Sequence, residues 1–146
     1  MDKEIKFPIM DITEFLFEGE QVFFSYLTWK SQYTLKEKYV RKIPKWQFVD
    51  SEGKLLKVRI TKKKEIKSFF SFLMQPTYEL ELQLYPTGKI YELDELKNEI
   101  LKKKHKMFHI YENKLMTLDE YEKSLKNATT FLRIIDIASF EDYKEN

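Results

Sequence analysis

The chain has 146 residues and a formal net charge of +2, with 42% hydrophobic, 34% charged and 16% aromatic residues, 3 Gly, 4 Pro and no Cys. This excludes collagen-like, linker-like and Pro-rich chains, and it leaves no disulfide scaffold, thiolate zinc site or cysteine nucleophile. The length fits one domain, residues 1–146.

From the amino end, Met1-Asp2-Lys3-Glu4-Ile5-Lys6 mixes both charge signs and runs into Phe7-Pro8-Ile9-Met10. No apolar stretch of signal-peptide length follows. No run approaches the roughly 18–20 apolar residues of a membrane helix. A cytoplasmic location and no membrane partner are the expectation. Residues 11–17 read as a short helical turn, with Asp11 at the N-cap and Glu14 three residues on. Residues 21–29 are β-branched and aromatic and read as a strand. The polar stretch Lys30–Arg41 fits either class.

A hairpin is predicted from Lys45–Asp50 and Lys54–Thr61 around the turn Ser51-Glu52-Gly53. In its return arm Leu56, Val58 and Ile60 point one way, and Lys57, Arg59 and Thr61 the other. Residues 65–74 fit a helix or a buried strand equally. Tyr78–Tyr85 alternates Tyr or Leu with Glu or Gln and predicts a strand with one wet face. Pro86-Thr87-Gly88 predicts a turn.

Lys89–Leu96 is echoed at an offset of 25 residues by Lys114–Tyr121. Both copies carry Leu-Asp-Glu after a capping position. In the second, Thr117 and Glu120 make a complete capping box, with Met116 and Tyr121 as the hydrophobic staple. The first has Glu92 at the cap and Tyr91 with Leu96 as staple. Amphipathic stripes follow in each, Leu93, Leu96, Ile100, Leu101 and Leu118, Tyr121, Leu125. Asn127 ends the second helix, and residues 129–137 read as a final buried strand. The predicted fold class is α+β: a mainly antiparallel sheet of about five to seven strands with two amphipathic helices, 93–105 and 117–127, packed on one face.

Candidate chemistry is sparse. His105 and His109 stand four apart without the glutamate of a zinc-protease motif. The carboxylate pairs are Glu79/Glu81, Asp94/Glu95 and Asp119/Glu120, the last two at helix N-termini. Residues 50–54 hold an acidic-x-Lys pattern loosely like a nuclease core. Gly19, Gly53 and Gly88 cannot form a phosphate-binding glycine loop. No metal and no small-molecule cofactor is expected.

Charge is segregated: residues 1–27 sum to −4, residues 28–67 to +9 and residues 68–146 to −3. Aromatics interleave with the basic block at Trp29, Tyr33, Tyr39 and Trp46. The expectation is a non-enzymatic macromolecule-binding protein with the profile of a small intracellular inhibitor or immunity-type module. Its contact surface would hold Arg41, Lys42, Trp46, Lys57, Arg59, Lys62, Lys63 and Lys64, facing a protein with an acidic surface. A nucleic-acid partner held by residues 28–67 is the alternative. A hydrolase with a carboxylate pair is the third reading.

Overall fold

Period-two alternation builds one sheet, and 3.6-residue spacing builds helices beside it. A computed structural model describes residues 4–12, 25–26, 29, 31–67, 76–102 and 117–138. Its strands are β1 (Ile9–Asp11), β2 (Ser25–Tyr26), β3 (Gln32–Lys36), β4 (Gln47–Asp50), β5 (Lys54–Ile66) and β6 (Thr77–Ile90). Its helices are α1 (Glu37–Val40), α2 (Leu93–Lys102), α3 (Leu118–Asn127) and α4 (Phe131–Ala138), with a 3-10 turn at Ile43–Lys45. The six strands form one antiparallel sheet in the order β2-β1-β4-β5-β6-β3, so the α+β class stands.

Successive residues of a strand face opposite ways, and here each way leads into a different core. Met10 and Val49 join Leu96 and Ile100 of α2, Tyr121 and Leu125 of α3, and Ile134, Ile135 and Ile137 of α4. Their neighbours Ile9 and Phe48 join Ile43, Trp46, Leu56, Val58, Leu80, Leu82 and Leu84 on the other side. β1 and β4 are therefore buried on both faces.

The β4–β5 turn is tied from within. The buried Asp50 carboxylate accepts from the backbone N–H of Glu52 and of Lys54 through Oδ1, each at 2.9 Å. Its Oδ2 accepts from the Lys6 N–H at 3.0 Å. Lys54 Nζ donates to the Glu4 carbonyl at 2.5 Å and pairs with Glu52 at 3.3 Å. The nuclease-like spacing of residues 50–54 is thus a turn lock that also holds the N-terminal segment. Gly53 sits at φ +86°, and a Cβ there would meet the Phe131 ring at 2.7 Å. Glycine lets α4 close on the turn.

Asp11 lies in β1, in register with Phe48, and the helical turn expected to follow it falls on residues outside the described ones. Three sequence expectations are corrected. Pro86-Thr87-Gly88 does not turn the chain. β6 runs on to Ile90, with a register shift between Lys54 and Leu56 that accommodates the Pro and the positive-φ Gly88. β5 does not stop at Thr61 but continues to Ile66. Residues 131–138 are helix, not strand. There the Thr130 hydroxyl accepts from the Arg133 N–H at 3.0 Å. Ile134 and Ile135 are buried while Leu132, Arg133 and Asp136 are exposed, an arrangement of the helical period.

The capping box of α3 is present in full. Glu120 N–H donates to the Thr117 hydroxyl at 3.1 Å, and Thr117 N–H to the Glu120 carboxylate at 2.9 Å. α2 keeps half of it: Glu92 N–H donates to Glu95 at 3.2 Å. Met116, His105, His109, residues 13–17, 21–24, 68–74 and 103–105 lie outside the described residues. No helix among the described residues is long and apolar enough to cross a membrane.

Candidate macromolecule-binding face

β5 and β6 form a long hairpin, and their register decides where each basic side chain goes. Lys57 stands opposite Tyr85 and Arg59 opposite Gln83, while Val58 and Ile60 stand opposite Leu84 and Leu82. Directly paired residues share a face. Leu56, Val58 and Ile60 thus face the core as expected, with Lys57 and Arg59 on the other side. Between Ile60 and Lys62 the register slips by one. The Thr61 hydroxyl donates to the Glu81 carbonyl at 3.1 Å, so Thr61 and Lys62 both oppose Glu81. This is a β-bulge, and it resets the alternation.

Past the bulge, Lys62 pairs with Glu81 and Lys64 with Glu79, on the face that already holds Arg59. Lys63 pairs with Leu80 and turns to the opposite face, its Nζ 4.5 Å over the Tyr78 ring. β3 extends the polar face across β6, Gln32 beside Glu81 and Thr34 beside Glu79. Gln32, Thr34, Lys62, Lys64, Glu79 and Glu81 border an open depression of about 750 Å³.

The eight expected contact residues do not form one surface. Arg59, Lys62 and Lys64 share a face and are exposed, with Lys57 half-buried at its inner end. Lys63 is on the reverse side. Arg41 is exposed and ion-paired with Glu37, one helical turn away. Lys42 is half-buried, its backbone N–H donating to the Tyr39 carbonyl at 3.0 Å. Trp46 is corrected outright: it is 1% exposed and packs in the core with Phe48 and Leu56, so its side chain presents nothing to a partner. A residue just before a buried strand, after the 3-10 turn, offers a large ring to the interior.

Local partners temper the remaining charges. Arg59 Nε donates to Gln83 Oε1 at 2.9 Å, and its guanidinium lies 4.6 Å from the Tyr85 ring centre. On the reverse side the Tyr78 hydroxyl is pushed up, first by desolvation and then by Glu37 and Glu65, with Arg41 opposing. The Tyr85 and Tyr78 rings are thus covered by the protein's own cations, Arg59 and Lys63, and Lys38 covers the expected Tyr39 ring in the same way. Glu79 and Glu81 do share a face, but it is an open one with lysines opposite. A general acid needs a desolvated cleft to raise its affinity for a proton. Among the described residues no three His, Cys, Asp or Glu side chains gather to hold a cation.

Sequence reading missed β3 and the side chains Gln32, Thr34, Gln83 and Tyr85. The signal was there for β3, where Gln32-Tyr33-Thr34-Leu35-Lys36 alternates, and its burial alternates with it. No protein-family model, curated protein or solved structure matches the chain.

Proposed function

We propose that this chain is a non-enzymatic macromolecule-binding protein of the inhibitor or immunity type, docking a partner protein on the polar face of the β5–β6 hairpin. The supporting observation is a contiguous exposed strand face, Arg59, Lys62 and Lys64 with Gln83 and Thr34, backed by the buried row Leu80, Leu82 and Leu84. A face fixed by two paired strands and a packed core loses little freedom when a partner docks. Its lysines favour a partner with an acidic surface and speed the encounter. Phosphate backbones suit it less, because Glu79 and Glu81 stand in the same face, in register with Lys64 and Lys62.

The test is affinity capture from the native host, nuclease-treated, with the wild-type chain and with a triple variant, Arg59→Glu, Lys62→Glu and Lys64→Glu. A specific protein should co-purify with the wild type and be lost with the variant, while thermal unfolding of the variant stays within about 0.5 kcal/mol, as for other exposed substitutions. Undiminished capture by the triple variant would remove this face from the function.

A further inference from the structure

We infer that the outer edge of β5 over Thr61–Ile66 takes an acidic extended segment of the partner as an added strand; this rests on the docking reading above. β4 accompanies β5 only as far as Lys57, and the 3-10 turn Ile43–Lys45 packs against β5 next to it. Among the described residues no strand pairs with the outer side of Thr61–Ile66, whose other side is paired with β6 through Thr77. Residues 61–65 are all exposed and Ile66 is half-buried. The length matches an ordinary strand of about five to six residues. Strand addition supplies main-chain hydrogen bonds for affinity and uses alternate side chains for selectivity.

Charge selects the occupant. Lys62 and Lys64 flank the edge on one face and Lys63 on the other. A second copy laid edge to edge would set lysine against lysine, the arrangement by which edge strands resist self-association. An acidic strand meets these lysines first, because Glu79 and Glu81 lie one strand further in. The chain already contains the complementary pattern on the inner side: Glu79-Leu80-Glu81 facing Lys64, Lys63 and Lys62. An outer strand with acid-x-acid spacing would repeat that pairing. A phosphate backbone offers charge but no row of amides and carbonyls to complete the sheet.

The experiment uses the full chain and three fluorescein-labelled probes, read by anisotropy at low and moderate salt. The first is a capped peptide of about seven residues alternating glutamate and valine, a typical strand length. The second has proline in place of each valine, so its charge is unchanged but those positions donate nothing. The third is single-stranded DNA of roughly 20 nucleotides, longer than one binding site. The glutamate–valine peptide should bind at least about tenfold tighter than the proline peptide and should slow amide exchange within Thr61–Ile66. Lys62→Glu with Lys64→Glu should weaken it by about tenfold or more. Equal binding of both peptides, or binding without new protection in Thr61–Ile66, overturns strand addition and leaves the charged-surface reading standing. Binding of the DNA but neither peptide overturns both, whereas binding of no probe overturns strand addition alone and leaves the docking reading to the capture experiment.

Discussion

The two ends of the β5–β6 hairpin share one alternating pattern and are finished differently. Near Gly53, β5 leaves a turn locked by Asp50 and runs beside β4, whose Phe48 and Val49 are buried on opposite faces. Three helices contribute to the core on the Val49 side. At the far end the hairpin keeps one apolar face, Leu80 with Tyr33 and Leu35, and turns a charged face outward. A strand buried on both faces serves stability, whereas one buried on a single face leaves the other open to solvent. Lysine occupies that end because its long apolar stem covers neighbouring surface while its ammonium stays in water.

The largest effect should come from emptying the covered end. Leu96 is fully buried in the helix-side core. Leu96→Ala should cost about 2–5 kcal/mol in urea denaturation, from lost transfer energy plus the cavity left behind. A loss below about 0.5 kcal/mol, the level of surface substitutions, would show that α2 does little for that core.

A pair of glycines sharpens the contrast. Gly53 and Gly88 both adopt positive φ, +86° and +98°, but only Gly53 faces a neighbour, the Phe131 ring. Gly53→Ala should cost about 1–3 kcal/mol from backbone strain and overpacking together. Gly88→Ala meets nothing within 4 Å and should show strain alone. A double-mutant cycle with Phe131→Leu should therefore find coupling at residue 53 and none at residue 88. Equal coupling at both would mean that α4 does not close on the turn.

The smallest effect lies at the exposed entry to α2. Lys89 Nζ donates to Glu95 Oε2 at 2.7 Å. This bond, helped by the Glu92 N–H, holds the Glu95 carboxyl below the usual glutamate range and pushes Lys89 up. A lowered carboxyl stabilises the fold above its unfolded range, and the contribution is lost as pH falls through its own folded midpoint. A raised lysine contributes below its unfolded range and is lost as pH rises through its folded midpoint. NMR titration of Glu95 should give a depressed midpoint that Lys89→Met returns toward the ordinary value. An unmoved midpoint would show that the pair does not persist in solution.

Much of the fold is written in local pattern. The turn at Gly53, the alternation of Tyr78–Tyr85 and the capping box of Thr117 with Glu120 depend on backbone geometry within a few residues, so they can be read without knowing the neighbours. The same holds for the inward row Leu56, Val58 and Ile60. Residues 131–138 were harder: their isoleucines suit a strand by β-branching and a helix by spacing, and what decides is the partner that buries them. Burial of Trp46 and passage of β6 through Pro86 and Gly88 are likewise settled by what lies across the sheet.

The candidate site was legible only as composition. A run of lysines shows that a region is basic, but the side each one faces depends on register against β6. One bulge at Thr61 places Lys62 and Lys64 with Arg59 and sends Lys63 to the reverse. Local chemistry, set by residues within a turn or two, can be inferred along the chain; the distribution of charge over a surface is a long-range property, because strand pairing joins residues far apart in sequence.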